Sequence, residues 1–487
     1  MSSEAKFKLL KGRSKKGNLN ALHQLGDLAS SNPSFYLEAL PIYMQHLPLK
    51  TPGTSYLKQG PTESHLLAIA ALSGIGKGAL QLAERTSPSP KMQPFLRQYW
   101  PRMWLWISHF TDAYLQTSSA HADDEEPLEG DISRTTARLL AALTRPPLGI
   151  LDQIFETSGV VKCVVDLWVR AARIDIFDFE LVTYYQLTFN ALQASRCRPP
   201  SEMQPILEDA FDRIDCGFSW VVTQGLITCA RGRKVEYEKI ASVLGYLETF
   251  AMFSPKFRLV FMYQRSIHWV TAIFRKLVSR SPARMTYEDE DRIIRLGSQS
   301  LRHLNEMIFS CGHYIVVDLL RNRFLLSLLQ AVPYLFVNVP ESLEDSEVEE
   351  FHKPYFELME NLGAYGNYLS VQKILYQSME KIENEGSDEC FLEDASFLIR
   401  SLWNNLKRTA AERHALRRAR KEWLRSEQES STAVQGAYMP VFVAEDARNI
   451  TGGTTVTNVE KSLKSEMPRA SLLWIGCMTV TWNSLPA

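Results

Sequence analysis

The feature that most constrains this chain is a run of roughly seventeen segments with helical periodicity between Asn18 and Gln428. Strand-like alternation is nearly absent between them. Because an amphipathic helix must cover its apolar stripe with a neighbour, the chain is predicted to be all-α. The expected architecture is an armadillo- or HEAT-like helical solenoid or an irregular helical array. A compact all-helical domain is the alternative, since the Pro-containing turns recur at irregular spacing.

Composition divides the chain into three parts. Hydrophobic residues make up 45% and charged residues 22%, which is typical of a folded protein. Residues 1–17 are basic and are predicted to be a disordered N-terminus, and residues 18–428 are predicted to form the helical array. Residues 429–487 are rich in Gly, Thr and Ser, and a weakly ordered tail with short β-like pieces is expected there.

One apolar stripe illustrates the periodicity. Its residues recur at steps of three and four and predict a single helix that begins near Pro255. They are Val260, Tyr263, Ile267, Val270, Phe274 and Leu277. A second feature is an aromatic cluster, which predicts a core anchor, with a binding surface as the alternative. Its members are Tyr99, Trp100, Trp104, Trp106 and Phe110.

The sequence contains no common catalytic, cofactor-binding or metal-binding motif, and no residues are assigned to such sites. The string 73–78 (SGIGKG) resembles a phosphate-binding loop, but Ala71 and Gly78 stand where that loop needs a glycine and a hydroxyl. Close helix packing is therefore predicted there. His303 and Glu306 share a helix face without further metal ligands nearby, so an exposed polar face is predicted.

Cysteine usage and hydropathy indicate an intracellular protein, cytoplasmic or nuclear. The cysteines are odd in number and scattered, which favours reduced thiols. They are Cys163, Cys197, Cys216, Cys229, Cys311, Cys390 and Cys477. The most apolar stretch, Phe324–Val339, is too short to span a bilayer and contains Pro333. A buried helix is expected there, and no membrane contact is predicted.

A basic segment from Lys407 to Arg425 is predicted to lie on one long helix. A solvated helix face explains it, and a nuclear-import signal or a nucleic-acid contact is the alternative. Base stacking is not expected, because Trp423 is its one aromatic residue. The possible basic patch consists of Arg408, Arg413, Arg417, Arg418, Arg420, Lys421 and Arg425.

Several strings together resemble the N-terminal helical region of fungal proteins that carry a MYND-type zinc finger. They are 17–29 (GNLNALHQLGDLA), 33–47 (PSFYLEALPIYMQHL), 67–76 (LAIAALSGIG) and 99–110 (YWPRMWLWISHF). The resemblance covers about residues 17–425 and implies a helical region that leads into a C-terminal zinc finger. Here one cysteine, Cys477, follows that region, so no finger ligand is carried over.

These observations favour a non-enzymatic protein–protein interaction scaffold with unidentified protein partners and no cofactor. One rival is an enzyme whose site is assembled from distant residues, with His268, His303 and His313 as first candidates. Another is a nuclear regulator that contacts nucleic acid through residues 407–425. The net charge of −1 gives no general basic field, so that contact would have to be local.

Overall fold

The structure is a computed structural model that describes residues 2–51, 62–83, 92–117, 127–194, 200–279, 286–337 and 345–437. In those ranges every regular element is helical and no strand occurs, which confirms the prediction of an all-α helical array. The chain divides into two units, Met1–His414 and Ala415–Ala487. The β-like pieces predicted for the tail lie outside the described residues.

The amino-terminal half of the array consists of α1 (Ser3–Lys15), α2 (Leu19–Ser30), α3 (Pro33–Gln45), α4 (Glu63–Ala83), α5 (Met92–Thr117), α6 (Pro127–Leu143), α7 (Leu151–Glu156), α8 (Val160–Asp175) and α9 (Phe179–Ala194). A 3₁₀ turn at Pro146–Leu148 precedes α7. The next helices are α10 (Pro200–Asp212), α11 (Gly217–Arg231), α12 (Tyr237–Phe253), α13 (Pro255–Tyr263), α14 (Ser266–Val278) and α15 (Tyr287–Cys311). The last are α16 (His313–Arg321), α17 (Phe324–Val332), α18 (Asp345–Tyr365), α19 (Leu369–Asn384), α20 (Ser387–Leu392) and α21 (Phe397–Ala437), with a π-helical turn at Pro333–Val337 after α17.

From α7 to α18 the helices of the first unit follow one another in trios, and each trio has a first, a second and a third helix. Helices α7, α8 and α9 form the first trio, and α19 and α20 are the first and second helices of a further one. The second helices α8, α11, α14, α17 and α20 pack in succession. The third helices α9, α12, α15 and α18 form a parallel succession, which continues backwards through α6 and α4 to α2. Each apolar stripe is thereby covered by its neighbours in the array.

A left-handed residue separates the first from the second helix in several trios. Gly159, Arg265, Arg323 and Gly386 have φ values of 86°, 62°, 58° and 62° and stand immediately before the second helix. The prediction of one helix through Val260–Leu277 was therefore wrong, because α13 ends at Tyr263 and α14 begins at Ser266. The sequence did not indicate this break, because arginine seldom marks a left-handed turn. The apolar periodicity also continues from α13 into α14.

The prediction of a disordered N-terminus was also wrong. Ser2 caps α1 by accepting a hydrogen bond from the Ala5 amide at 3.3 Å. Phe7 and Leu10 are buried, and the Phe7 ring stacks on Phe35 of α3 at 4.3 Å. Lys11 adds an ion pair to Glu38 of α3 at 2.7 Å, so an apolar face and one salt bridge attach this basic segment to the array.

The prediction of close helix packing along 73–78 is confirmed. This string lies inside α4, where Gly76 approaches the backbone of Leu139 in α6. A Cβ placed on Gly74 would come within 2.7 Å of the Tyr43 ring. The glycines therefore allow α3 and α6 to approach α4 closely.

Burial of the aromatic cluster is confirmed for Trp100, Trp106 and Phe110. The indole nitrogen of Trp100 donates to Thr157 Oγ1 at 2.8 Å, and that of Trp106 donates to the Pro48 carbonyl at 2.9 Å. These bonds satisfy the polar atoms that accompany the large rings into the core. The cluster is thus a core anchor at these three positions.

Helix α4 is long and apolar enough to cross a membrane by length and composition. It is largely buried against α2 and α6 in the array, and core helices pass the same test. The stretch from Phe324 is buried as predicted, although its helix gives way to the π-helical turn at Pro333. The cysteines in the described ranges are free: Cys163 and Cys229 are buried, Cys216 and Cys311 half-buried, and Cys390 exposed.

Candidate functional site

The predicted basic segment lies on α21, but its cations have different roles. Lys407 forms ion pairs with Glu383 at 2.7 Å and with Asp388 at 3.5 Å. Arg413 donates to the Gly363 carbonyl near the end of α18. These two side chains hold the helix against its neighbours, so they do not belong to a free cationic surface.

The remaining cations of the segment are Arg408 and those from Arg417 onwards. Arg408 contacts Glu412 at 4.0 Å and Asn405 at 3.2 Å. Arg417 is half-buried. The exposed cations beyond it are Arg418, Arg420, Lys421 and Arg425. Three of these, at positions 418, 421 and 425, recur at steps of three and four and therefore share a helix face.

The three histidines considered as catalytic candidates have separate surroundings. His268 Nδ1 lies 3.0 Å from Asn322 Oδ1. His303 is buried in α15, and His313 stacks on Tyr368 at 4.7 Å. No contact joins any two of the three within the described ranges. A shared catalytic constellation of these residues is therefore not supported by their placement.

His303 lines a cavity of about 290 Å³ formed by α12, α15 and α18. The expectation that it lies on an exposed polar face was wrong, because 2% of its surface is exposed. Its helix neighbour Glu306 is exposed at the same cavity. The other lining residues are Glu248, Met252, Arg302, Asn305, Lys353, Pro354 and Glu357.

A polar network forms one wall of this cavity. Glu248 of α12 pairs with Arg302 at 3.4 Å and accepts a hydrogen bond from Gln299 at 3.0 Å. Burial raises the pKa of the Glu248 carboxyl, although Arg302 and Gln299 oppose that rise. Glu248 and Arg302 also line a neighbouring cavity of about 220 Å³ that extends to α9. The third helices thus enclose two polar recesses that share this ion pair.

A different surface lies where the third helices end. Here α15 ends at Cys311 and α16 begins at His313, and Gly312 between them has φ 71°, which favours glycine. The turn between α18 and α19 lies beside it, since Tyr365 Oη donates to the Ile308 carbonyl at 3.4 Å. We call this surface the aromatic edge; it consists of Phe309, His313, Tyr314, Tyr365, Tyr368 and Leu369.

Three rings of the aromatic edge, Phe309, Tyr314 and Tyr368, are exposed, and His313 and Tyr365 are half-buried. His313 lies 4.1 Å from Tyr314 and 4.7 Å from Tyr368, and Tyr365 lies 5.6 Å from Tyr368. Phe309 is 86% exposed and Tyr314 is 73% exposed. Large contiguous apolar patches on monomeric proteins often mark binding sites. This arrangement can provide a preformed surface for apolar side chains.

Sequence reasoning identified His313 but missed the rest of the aromatic edge. Phe309 occupies the last turn of an amphipathic helix, where an apolar residue is expected to be buried. Tyr365 and Tyr368 belong to another helix turn, far along the chain. Their proximity depends on how α15 packs against α18, and no local signal contains that information.

Comparison with known proteins identifies no relative. No family model matches the chain, and no curated protein matches it. A solved structure that is similar is a circular tandem repeat protein with novel repeat topology and enhanced subunit contact surfaces. It is 15% identical, with a TM-score of 0.30 over 86% of this chain and 100% of that one. A likeness of this size transfers no function, and the resemblance to MYND-type proteins stays a prediction.

Proposed function

We propose that this protein is a non-enzymatic scaffold that binds a partner protein on its aromatic edge. The observation that carries the proposal is the set of ring contacts that joins His313, Tyr314, Tyr365 and Tyr368, together with the exposed Phe309, where α15 and α18 end. Tyrosine and phenylalanine are enriched in the energetic centres of protein interfaces. Their few side-chain torsions make them inexpensive to order on binding.

The partner expected at this surface offers an apolar segment that bears proline or aliphatic side chains. Surfaces lined by aromatic rings dock proline-rich segments, and their apolar area also suits aliphatic side chains. The rim is polar: Arg258 donates to Ser310 Oγ at 2.8 Å beside Phe309, and Asn367 lies beside Tyr368. An apolar centre with a polar rim is the usual composition of a specific interface.

The repeated trios of helices support the same proposal. Tandem helical units build extended surfaces that commonly serve for protein binding. The order of three helices per unit agrees with an armadillo-type arrangement, which we include in the proposal together with an intracellular location. The second helices begin at unequal intervals, as expected if the units carry loops of different lengths.

The test is affinity capture from cell lysate with two matched double variants. Phe309→Ser/Tyr314→Ser removes apolar surface from the aromatic edge. Phe397→Ser/Leu398→Ser removes comparably exposed side chains at the start of α21. We expect the first variant to lose a partner protein that the second retains at the wild-type level, because edge residues would provide the buried centre of the interface.

Circular dichroism and melting temperature should show both variants folded, since all four side chains are exposed. If both variants capture the same proteins as the wild type, the aromatic edge is not the docking surface. Capture of no protein by the wild type itself would contradict the scaffold proposal.

A second candidate function is contact with nucleic acid through α21, and the observation that favours it is the exposed row of Arg418, Lys421 and Arg425. Phosphate contacts make binding weaken steeply with salt. Fluorescence anisotropy with duplex DNA should then show a smaller salt dependence for Arg418→Glu/Lys421→Glu than for Lys373→Glu/Lys381→Glu, a double reversal on α19. Equal salt dependence in both would contradict this function.

A further inference from the structure

The cavity between α12, α15 and α18 contains a buried histidine that lacks hydrogen-bond partners. Neither Nδ1 nor Nε2 of His303 has one among the described residues. Both polar atoms of its neighbour Asn305 already have partners: Nδ2 donates to the Pro354 carbonyl at 2.8 Å, and Oδ1 accepts from Asn361 at 3.3 Å. Because buried polar groups are nearly always bonded, the imidazole is available to a ligand in the cavity.

The protonation state of His303 restricts what that ligand can be. Burial lowers the pKa of the imidazole to about 3, so the ring is neutral at pH 7. A neutral imidazole offers one acceptor nitrogen and one N–H donor but no positive charge. An anion would find no cation at this position, whereas an ammonium group can donate to the acceptor nitrogen.

The charges around the cavity favour a cation as well. Arg302 is opposed by Glu248 at 3.4 Å, and Lys353 by Glu357 at 3.9 Å. Glu306 forms no ion pair within the described part of the chain. It follows His303 by three residues on α15, a spacing that brings side chains together on one helix face. The unmatched charge of the lining is therefore negative and lies beside the unpartnered imidazole.

The remaining lining residues limit the size and polarity of the ligand. Met252 and Pro354 contribute apolar surface next to the charged groups. A volume of about 290 Å³ admits a short carbon chain with one polar head. A molecule with an apolar stem and a positively charged head matches both parts of this lining.

We propose that this cavity binds a small alkylammonium ion, whose head group donates to His303 and lies beside the carboxylate of Glu306. The same chemistry can come from a free primary amine or from the lysine side chain of a partner protein. This site is separate from the aromatic edge, so the two proposals can fail independently.

The test is calorimetric titration of the full-length protein with butylammonium chloride. Butyrate and n-butanol serve as anionic and neutral probes of similar size. We expect saturable binding of butylammonium, and at least tenfold weaker binding of the other two. No saturable binding of butylammonium at millimolar concentration would overturn the proposal, and so would equal binding of n-butanol or butyrate.

Matched variants locate the site on the protein. Glu306→Gln removes the unpaired carboxylate at an exposed position, so the fold should be retained. Glu360→Gln makes the same change on α18 away from the cavity and is the control. We expect at least a tenfold loss of butylammonium affinity in the first variant and none in the second. Equal affinity in both would overturn the assignment to this cavity.

A capped lysine, Nα-acetyl-lysine amide, distinguishes the two sources of the ammonium group. Binding as tight as that of butylammonium, with the same loss in Glu306→Gln, assigns the site to a lysine side chain. Binding of butylammonium alone assigns it to a free amine. Both results uphold the alkylammonium site, whereas capped-lysine binding that Glu306→Gln leaves unchanged would contradict it.

Discussion

His303 is buried without hydrogen-bond partners among the described residues, which lowers stability but leaves the imidazole open to the proposed ligand. A buried donor or acceptor without a partner costs about 1–3 kcal/mol of folding free energy. Both ring nitrogens of His303 are in this situation within the described ranges. Other buried histidines are better satisfied: Thr62 contacts His65 Nδ1 through its amide at 3.2 Å and its hydroxyl at 2.7 Å. The imidazole of His303 therefore stands out among them.

Replacement of His303 by leucine is expected to stabilise the protein. The side chains have similar volume, and the apolar one removes the cost of the unpartnered nitrogens. We expect the free energy of unfolding in denaturant to rise by about 1 kcal/mol. A decrease of that size would show that the imidazole has a stabilising partner. His352→Leu is the control and should destabilise, because His352 Nε2 lies 2.6 Å from the Leu335 carbonyl.

The same substitution should change how stability depends on pH. In the unfolded chain His303 takes up a proton near its ordinary pKa of 6.5, but burial keeps the folded form neutral down to about pH 3. The unfolded state therefore binds more protons in this window, and stability falls as pH falls. Relative to the wild type, His303→Leu should gain about 1.4 kcal/mol per pH unit below pH 6.5.

Urea titrations between pH 7 and pH 5 measure this difference. Most other groups titrate alike in the wild type and in the variant, so they largely cancel. The carboxyl of Glu248, which lines the same cavity, is present in both. A constant stability difference across this range would mean that folded His303 takes up protons as readily as the unfolded chain does.

At the scale of elements, close packing in the amino-terminal half depends on small residues in α4. Gly78 lies against the ring of Tyr36, and Tyr36 Oη donates to the Ile75 carbonyl at 2.8 Å. Gly26 of α2 approaches the Gly74 backbone, with 3.3 Å between a Cβ placed on Gly26 and Gly74 Cα. The helix thus contacts α2, α3 and α6 through positions where a side chain would separate the elements.

Alanine at Gly78 is expected to destabilise the protein by about 1–3 kcal/mol, because the added Cβ would overlap the Tyr36 ring and force a backbone shift. Gly12→Ala in α1 is the control, since nothing lies within 4 Å of its Cβ position. That change should raise stability by up to about 1 kcal/mol through helix propensity. Melting curves of the two variants give the comparison, and equal melting temperatures would contradict it.

The left-handed turns between first and second helices belong to this scale too. The left-handed turns at Arg265 and Arg323 contain neither glycine nor proline, so composition gave no signal for the ends of α13 and α16. The glycines at 159 and 386 do provide such a signal. The sequence prediction joined α13 to α14 across Arg265.

At the scale of the whole molecule, the helices of the first unit pack against their neighbours in the array, which are often two or three helices apart in the chain. The second helices α14, α17 and α20 illustrate this, because α17 packs against both others. In such arrays stability is close to a sum of unit terms and neighbour terms. Local damage should therefore spread to adjacent helices and fade with distance along the array.

Leu328→Ala in α17 tests this expectation, because the side chain is fully buried. A loss of about 2–5 kcal/mol is typical of such a cavity. Hydrogen exchange should accelerate in α14, α17 and α20 and stay unchanged in α2 and α4. Leu22→Ala in α2 is the reciprocal control and should accelerate exchange in α2 and α4. Uniform acceleration in both variants would indicate a single cooperative unit instead.

The sequence by itself determined that the fold is all-α and that residues 73–78 form part of a closely packed helix. It also determined that most of the aromatic cluster is buried in the core. These follow from hydrophobic periodicity and residue size, which act over a few neighbouring positions. It also placed His303 and Glu306 on one helix face. It did not show that His303 is buried, because burial depends on which helix covers that face.

Only the tertiary structure decided which residues form the aromatic edge and which line the cavity beside His303. It also decided which cations of α21 contact neighbouring helices and which are exposed. Each of these features brings together residues from helices that are distant in the chain, such as α12, α15 and α18. The physical reason is that packing between helices is set by side-chain shape along whole surfaces. A local pattern shows that a stripe must be covered, but it does not specify the helix that covers it.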